Sequence, residues 1–357
     1  MQQFDYNKVK NPLIFEENRL EAHSDHICYA SMEELEEKET SFRYSLNGPW
    51  KFAYARNYDS AIKGFETLDY NCKSWADIKV PAHIQMEGYD VPQYANTQYP
   101  WDGRDQVEPG EIPSYFNPIA SYVKYFTVPE AMKGKPVYIS FQGVESGMAL
   151  WLNGTYIGYS EDSFTPSEFE LTPYLVEGEN KLAVQVFKWT AGSWCEDQDF
   201  FRFSGIYRSV FLYTIPEVHI QDIRIKTLLD DQYKDADLDV CIKGIGKGKV
   251  SLILQNSEEV LAQVSTDMEA EVKVSIPVKE PALWSAEEPN LYKLLLEVTN
   301  ADGKTVEVIS QMVGFRRFEM IDRIMCINGK RIVFKGVNRH EFSSKTGRTV
   351  SDEEILL

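Results

Sequence analysis

The sequence predicts a mainly β protein in which a jelly-roll sandwich precedes an immunoglobulin-like sandwich and the first βα unit of an α/β barrel. Short segments with a two-residue hydrophobic period recur, with turn residues between them, from about residue 45 to Ile215. A second run of such strands follows Pro216. In the last forty residues one strand, a polar loop and the start of a helix follow each other.

The composition is that of a globular protein. A chain of 357 residues with 43% hydrophobic content can bury the cores of two or three domains. The net charge of -18 argues against nucleic acid and anionic membranes as partners. Because neither a signal peptide nor an apolar run of about 20 residues is found, we expect no membrane association and a cytoplasmic location.

Cysteines and histidines do not suggest a metal or disulfide framework. The five cysteines lack Cys-x-x-Cys spacing and their number is odd, which predicts reduced thiols. His23 and His26 form "HSDH". Without a second ligand pair nearby, this motif is more typical of a solvated loop than of a metal site.

The first sandwich is predicted for residues 47–216, after an N-terminal arm of residues 1–46 that contains the acidic run "MEELEEKE". Its clearest hairpin is "MALWLNGTYIGYS", in which Asn153 and Gly154 suit the two positive-φ positions of a type I′ turn. Close spacing of short strands, with almost no long helix, favours a jelly-roll sandwich.

The second sandwich is predicted for residues 217–316, where six or seven strands fit an immunoglobulin-like domain without its Cys-Trp-Cys core. The remaining residues, 317–357, contain a hairpin at Asn328-Gly329 and the apolar strand "RIVFKG". The final "SDEEILL" predicts a helix start, with Ser351 and Glu354 in a capping box. Because one βα unit cannot bury its strand, we expect the chain to be the N-terminal portion of a longer barrel enzyme.

One segment has the composition of a sugar site. "WTAGSWCEDQDFFRFSGIYR" brings three carboxylates together with aromatic rings and two arginines. Carboxylates suit sugar hydroxyls and flat rings suit the apolar face of a sugar. The alternative is a sandwich edge with buried aromatics and acids paired to Arg202 and Arg208.

Asp197 and Asp199 cannot serve as the two catalytic carboxylates of a glycosidase. Residues two apart on a strand point the same way, whereas the acid and the nucleophile approach the anomeric centre from different sides. These acids are therefore candidates for binding a sugar or a cation.

Two further segments carry candidate residues. "GVNRHEF" follows the predicted barrel strand, at the end where barrels place functional groups, so His340 is a candidate for contact with substrate. The long loop "DVPQYANTQYPWDG" contains Asn96, whose amide could bind adjacent sugar hydroxyls. For both segments a loop without function is the alternative.

Several separated motifs, in the same order, resemble family 2 glycoside hydrolases, specifically the long β-galactosidases of the bacterial lactose-operon type. They are "VPAHIQMEGYDVPQYANTQYP", "SEDSFTPSEFELTPYL", "WCEDQDFFRFSGIYR", "LWSAEEPNLY", "VGFR" and "NGKRIVFKGVNRHE". The resemblance runs from about Asn47 to the last residue. It implies a jelly-roll sugar-binding domain, an immunoglobulin-like domain and a TIM-barrel catalytic domain of which only the beginning is present.

The resemblance also implies roles for the candidate residues. Asn96 and Asp199 look like the family's contacts to a terminal galactosyl ring, and His340 looks like the barrel histidine that stabilises the transition state. Asp199 resembles a sodium ligand. In the family, the acid/base and nucleophile are glutamates of later barrel strands, and the main Mg²⁺ ligands also lie there, so these positions fall beyond Leu357.

The resulting expectation is the N-terminal portion of a retaining β-galactosidase that acts on small β-galactosides such as lactose. Mg²⁺ and Na⁺ are expected in the full-length enzyme, which we expect to be a homo-oligomer, and the chain alone should be inactive. The alternatives are a β-glucuronidase or β-mannosidase of the same family and a non-catalytic carbohydrate-binding module. Asp199 disfavours the glucuronidase because it would repel a substrate carboxylate.

Overall fold

The structure, a computed structural model, describes residues 3–196, 199–257 and 259–357, with the side chain of Phe200 also left undescribed. The chain divides into two units. The first unit contains Met1–Glu21, Arg43–Thr214 and Arg339–Leu357. The second unit contains Ala22–Phe42 and Ile215–Asn338.

The elements up to residue 213 are β1 (Glu16–Glu17), α1 (Met32–Glu37), β2 (Arg43–Ser45), β3 (Gly48–Ala55), β4 (Ala76–Val80), β5 (Gln93–Ala95), β6 (Ile119–Thr127), β7 (Tyr138–Phe141), β8 (Val144–Glu145), β9 (Gly147–Leu152), β10 (Thr155–Ser160), β11 (Ser167–Glu170), β12 (Glu179–Phe187), β13 (Phe200–Arg202), β14 (Gly205–Ile206) and β15 (Val210–Tyr213). They are followed by β16 (His219–Leu229), β17 (Ala236–Ile245), β18 (Gly248–Gln255), β19 (Val260–Asp267), β20 (Val272–Val278), β21 (Tyr292–Asn300), β22 (Thr305–Val313), β23 (Phe318–Ile321), β24 (Ile324–Ile327), β25 (Lys330–Arg331) and α2 (Asp352–Leu356).

The first unit is built on two antiparallel sheets, as expected for a jelly-roll sandwich. The larger sheet has the order β1-β10-β9-β12-β6-β3-β4, and the smaller has the order β11-β7-β15-β2. Trp50, Phe141 and Phe169 belong to a core of buried side chains contributed by strands of both sheets. Two short ladders, β13-β5 and β14-β8, lie outside these sheets.

The larger sheet is buried on both faces, which explains the apolar character of β12. Leu182, Val184 and Val186 alternate with Ala183 and Phe187, and the two sets belong to different core clusters. Opposite faces of a strand carry alternate residues, so a strand between two cores is apolar at nearly every position. The predicted turn between β9 and β10 is confirmed, since Asn153 and Gly154 have φ of 52° and 82°.

The second unit contains a seven-stranded sandwich, which confirms the immunoglobulin-like prediction. Its sheets have the orders β16-β17-β20 and β19-β18-β21-β22. On β17 the buried residues Leu238, Val240 and Ile242 alternate with more exposed ones, as a sheet with one buried face requires. A separate three-stranded meander, β23-β24-β25, follows the sandwich.

Part of the N-terminal region belongs to this second unit. Tyr29 forms a backbone bridge with Val308, with N···O distances of 2.9 and 2.8 Å. The solvated loop expected at "HSDH" is wrong for His26, which is buried. Its Nε2 donates a hydrogen bond to the Ile220 carbonyl at 3.2 Å, and its Nδ1 lies 2.8 Å from Ser24 Oγ, because the loop lies against β16.

The predicted barrel strand "RIVFKG" is not formed, and this expectation is corrected. Only Lys330–Arg331 is paired, with β24, after the predicted Asn328-Gly329 turn. Val333, Phe334 and Val337 are 69%, 65% and 87% exposed. A barrel strand requires neighbours on both sides and helices over its outer face, and the described residues provide neither for this segment.

The two α-helices are short and capped at their N-termini. In α1 the Ser31 hydroxyl accepts a hydrogen bond from the Glu34 N–H. The capping box predicted for α2 is confirmed, since Ser351 and Glu354 exchange side-chain to backbone hydrogen bonds. Among the described residues, no helix has the length and apolar character needed to cross a bilayer.

Candidate functional site

A small ladder in the first unit brings two predicted site residues to one place. Strands β5 and β13 pair antiparallel, with Ala95 opposite Phe200 and Tyr94 opposite Phe201. Asn96 and Asp199 therefore follow the last pair of the ladder at the same end. Sequence positions about one hundred residues apart are brought together by this register.

The Asp199 carboxylate is held by the same ladder. The Tyr94 hydroxyl donates a hydrogen bond to Asp199 Oδ1. This hydrogen bond raises the pKa of Tyr94, so the phenol remains protonated and continues to donate. The other carboxylate oxygen is left available for a sugar hydroxyl or a cation.

The segment that carries His340 is anchored on β13. The Phe342 ring stacks on Phe201, with centroids 5.1 Å apart and an interplanar angle of 18°. Arg348 Nη1 donates to the Phe201 carbonyl at 3.1 Å. The Arg348 guanidinium also forms an ion pair with the buried Glu145 carboxylate. The stacked Phe342 ring and the two contacts of the Arg348 guanidinium hold the segment in place, although it is not paired with β13 as a strand.

These contacts enclose a cleft of about 570 Å³. It is lined by Tyr94, Asp199, Phe201, Arg208, Arg339, His340, Glu341, Phe342 and Arg348. The volume suits a small ligand, and the mixture of flat rings with charged groups suits a polyhydroxylated one. Arg339 pairs with Glu341 at 3.1 Å, so part of this charge is compensated internally.

The predicted site residues are placed as follows. Asp199 and His340 both line the cleft. Asn96 is exposed beyond the end of β5 and is not among the lining residues. Asp197, the other acid considered as a ligand, lies outside the described residues. The roles assigned to these residues stay predictions.

The loop that carries Asn96 is fixed by an aromatic cluster. The Tyr99 and Trp101 rings are stacked 5.2 Å apart, and Trp101 lies 4.9 Å from Trp194 in an inclined arrangement. Trp194 ends a short 3-10 turn, Ala191–Trp194. The long loop is therefore attached to the turn that leads into the Asp199 segment.

A buried carboxylate holds that turn in place. Glu161 accepts hydrogen bonds from the Thr190 hydroxyl at 2.9 Å and from the Gly192 N–H at 3.0 Å. The Tyr159 hydroxyl donates to its other oxygen at 2.6 Å. Burial raises the pKa of Glu161, and the three hydrogen bonds, which favour the ionised carboxylate, only partly offset this rise.

Sequence reasoning missed three residues that line the cleft, Tyr94, Phe342 and Arg348, and the Glu145 carboxylate that holds the last of them. Tyr94 and Phe342 stand next to or near the candidates Asn96 and His340, so their aromatic character was a usable signal. Arg348 and Glu145 are separated by about two hundred residues, and neither lies in a segment with the composition of a site. Only the tertiary structure could pair them.

Glu196, at the start of the Asp199 segment, predicts a pH dependence. Burial raises its pKa to about 7, although the Ser163 hydroxyl donates to it at 2.8 Å. Between about pH 4.5 and 7, the Glu196 carboxyl group is therefore protonated in the folded chain but ionised in the unfolded chain. Its stability falls as the pH rises through this window, by at most about 3 kcal/mol for this group.

We expect Glu196→Gln to flatten this part of the stability profile. Urea unfolding at pH 5 and pH 8 measures the difference, and the exposed Glu130→Gln is the control. The wild type and the control should lose stability at pH 8 while Glu196→Gln loses less. Equal losses in all three proteins would contradict the assignment.

Comparison with known proteins gives the family. The sugar binding domain of glycosyl hydrolases family 2 matches residues 42–216. A second domain of the same family matches residues 218–316, and its TIM barrel domain matches residues 318–356. The chain belongs to glycoside hydrolase family 2. The match to the barrel domain is confined to the last part of this family 2 chain.

Curated relatives and solved structures agree with this membership. A β-galactosidase of Halalkalibacterium halodurans is 52% identical over 350 residues, which are 96% of this chain and 34% of the relative. The chain thus spans about a third of that relative's length. A β-glycosidase crystal structure from Bacteroides vulgatus has 28% identity and a TM-score of 0.68, covering 87% of this chain and 38% of that one.

A more distant structure shows the fold alone. It is a β-glucuronidase of Bacteroides uniformis, with 21% identity and a TM-score of 0.71 over 87% of this chain and 37% of that chain. The shared fold therefore occurs in proteins whose names give different substrates.

Proposed function

We propose that this family 2 chain is the N-terminal part of a retaining β-galactosidase that hydrolyses terminal β-galactosides such as lactose. The observation that carries the proposal is the cleft in which Asp199 and His340 lie together beside Phe201 and Phe342. Its lining offers a carboxylate to sugar hydroxyls, an imidazole to developing charge and rings to the apolar sugar face. The name and identity of the Halalkalibacterium relative support the same substrate class.

In this proposal the chain binds and orients the sugar, and residues outside it break the glycosidic bond. The retaining mechanism requires one carboxylate that forms the glycosyl-enzyme and another that protonates the leaving group, about 5 to 5.5 Å apart. In the proposal both of these carboxylates lie on later barrel strands, and the cleft carboxylates Asp199 and Glu341 do not take either role. The chain alone is therefore inactive.

A second candidate function is β-glucuronide hydrolysis, and one observation favours it. Arg208 lines the cleft, and its Nη1 donates to the Phe164 carbonyl at 2.8 Å. A guanidinium with remaining N–H donors could donate hydrogen bonds to a substrate carboxylate. Against this, Asp199 faces the same cleft and would repel the carboxylate.

Sodium and magnesium fit the described residues unequally. Asp199 supplies one oxygen ligand for Na⁺, which could be shared with a sugar hydroxyl, but Tyr94 already occupies part of that carboxylate. The arginines of the cleft oppose a complete cation site formed from this chain alone. For Mg²⁺, the described cleft residues offer no matching set of oxygen ligands, so no step is assigned to it.

The proposal includes a cytoplasmic location and assembly of the full-length enzyme as a homo-oligomer. A net charge of -18 supports the absence of nucleic acid and anionic membrane partners, because both would be repelled. Size-exclusion chromatography with light scattering on the full-length enzyme tests the assembly state.

Hydrolysis of two chromogenic substrates tests the proposed function. A β-galactoside and a β-glucuronide are offered to this chain and to a version extended through a complete barrel. We expect turnover only by the extended version and only of the galactoside. Turnover of the glucuronide by the extended version would support the second candidate. Mutation-sensitive turnover by the chain alone would contradict the proposal that residues outside it break the glycosidic bond.

A further inference from the structure

A cluster of three metal-ligating side chains lies in the second unit, unrelated to the cleft. It consists of His26, Cys28 and Glu307, and the ligand atoms of these residues all lie within 4.8 Å of one another. His26 and Cys28 come from the N-terminal segment, and Glu307 comes from β22. The bridge between Tyr29 and Val308 places these two parts of the chain side by side.

Glu307 is the unusual member of the cluster. Its side chain is fully buried, with an exposed fraction of 0%. The Ile220 N–H donates to Oε2 at 2.8 Å, and the Cys28 thiol is a second hydrogen-bonding group beside the carboxyl, although Oε1 meets no partner at ordinary hydrogen-bond geometry. A thiol is a weak donor, so this buried carboxyl group is incompletely satisfied by the described residues, and its retention requires an explanation.

Among the residues that the structure describes, no lysine or arginine forms an ion pair with Glu307. The groups that hydrogen-bond to its carboxyl are the Cys28 side chain and the Ile220 N–H. No lysine or arginine is among them. A carboxyl group in such a site is either neutral or paired with a positive charge supplied from outside the chain.

We propose that His26, Cys28 and Glu307 form a binding site for a single zinc-like divalent cation. A thiolate, an imidazole and a carboxylate are the three kinds of ligand that Zn²⁺ takes from proteins, whereas Ca²⁺ and Mg²⁺ require oxygen ligands. With Cys28 and Glu307 ionised and His26 neutral, the two negative charges balance the two positive charges of the ion. The buried site then carries no net charge.

The three ligand atoms would need to move only slightly closer together to bind one zinc ion. Bonds of about 2.0–2.3 Å to a tetrahedral zinc ion place its ligand atoms about 3.3–3.8 Å apart, so separations that are all within 4.8 Å need to shorten by about 1 Å at most. Cys28 is only partly buried, which gives water access to a fourth position. The Ser24 hydroxyl lies 2.8 Å from His26 Nδ1 and can accept a hydrogen bond from it, while coordination through Nε2 would replace the 3.2 Å hydrogen bond to the Ile220 carbonyl.

The ion would fasten the N-terminal segment to the sandwich. Two ligands lie on Ala22–Phe42 and one lies on β22, so binding links the segment to a core strand of the same unit. A ligand that binds only the folded state raises stability in proportion to its concentration over its dissociation constant. The inference does not depend on the proposed glycosidase function.

Cobalt titration of the purified chain tests the site. After treatment with a chelator and a non-thiol reductant, Co²⁺ is added and thiolate-to-cobalt charge-transfer absorption is followed together with the visible ligand-field bands. We expect saturation at one Co²⁺ per chain, displacement by Zn²⁺ and a higher thermal midpoint with Zn²⁺ than with chelator. Absence of a saturable thiolate band in the wild type would overturn the proposal.

The variants separate this site from other thiols. Cys28→Ser should abolish the charge-transfer band, and Glu307→Gln should weaken Co²⁺ binding at least tenfold. The control is Cys241→Ser, which alters a second Cys–Glu pair with Sγ···Oε1 at 3.7 Å to Glu271 but without a histidine. Loss of the band in Cys241→Ser but not in Cys28→Ser would equally overturn the assignment.

Discussion

Replacing Asp90 by alanine should destabilise the first unit by about 3–5 kcal/mol, because it leaves a buried lysine without its counter-ion. The Lys188 and Asp90 side chains are 0% and 3% exposed, and Lys188 Nζ lies 2.6 Å from Asp90 Oδ2. Gln85 Nε2 donates to the same oxygen at 2.8 Å. Burial already lowers the pKa of Lys188, so the isolated ammonium would be costly to keep charged.

Thermal or urea unfolding measures the effect, which corresponds to a fall of roughly 10 °C in midpoint for a domain of this size. Glu179→Gln is the control, since it breaks the solvent-exposed pair between Lys73 and Glu179 and should change the midpoint little. The double variant Asp90→Ala, Lys188→Met removes both charges and should recover part of the loss. Similar midpoints for Asp90→Ala and Glu179→Gln would show that the buried pair contributes no more than the exposed one.

The effect on function should follow from the position of Asp90. It begins the long loop that carries Asn96, and Lys188 follows the last residue of β12. The ion pair therefore ties the start of that loop to a central strand of the larger sheet. Loosening it should raise KM for a galactoside in the version extended through the barrel, beyond what the lower stability alone produces.

Asp199→Asn should lower kcat/KM for a β-galactoside by about 10- to 150-fold in the version extended through the barrel. This range corresponds to the loss of one hydrogen bond to a charged group, about 1.5–3 kcal/mol. Tyr94→Phe, which removes the hydroxyl that holds Asp199, should have a smaller effect of about 2- to 12-fold. Steady-state kinetics on all variants measures both values.

The control for this prediction is Asp77→Asn, which changes an exposed carboxylate on β4 that pairs with Lys51 at 2.9 Å. It lies in the same unit but not in the cleft, so its kinetics should match the wild type. If Asp199→Asn reduces kcat/KM no more than Asp77→Asn does, Asp199 does not contact the substrate and the sugar-binding assignment of the cleft is wrong.

Local patterns in the sequence were sufficient for most of the fold. The Asn153-Gly154 turn, the alternation along β17 and the Ser351 capping box each depend on residues close in the chain, and all three are found in the structure. The "RIVFKG" strand failed because a strand needs neighbours that its own sequence does not specify. His26 was misjudged for a related reason, since its burial depends on β16, almost two hundred residues away.

The candidate site was predictable only in part. Asp199 and His340 could be proposed because each stands in a short segment with the composition of a site. Their shared cleft could not, because it depends on the β5-β13 register and on contacts of Phe342 and Arg348 with β13. Such contacts form between segments that are distant in the sequence, so no local hydrophobic period or motif spacing indicates them.

The first unit is made of segments that are not adjacent in the sequence, and this affects the order in which it can fold during translation. Its final part, Arg339–Leu357, leaves the ribosome only after all of Ile215–Asn338, which belongs to the second unit. Domains generally begin to fold as soon as their residues emerge. The sheets of the first unit can therefore assemble early. The stacking of Phe342 on Phe201 and the ion pair between Arg348 and Glu145 can form only later. During translation the cleft is thus completed only after the second sandwich has had time to form.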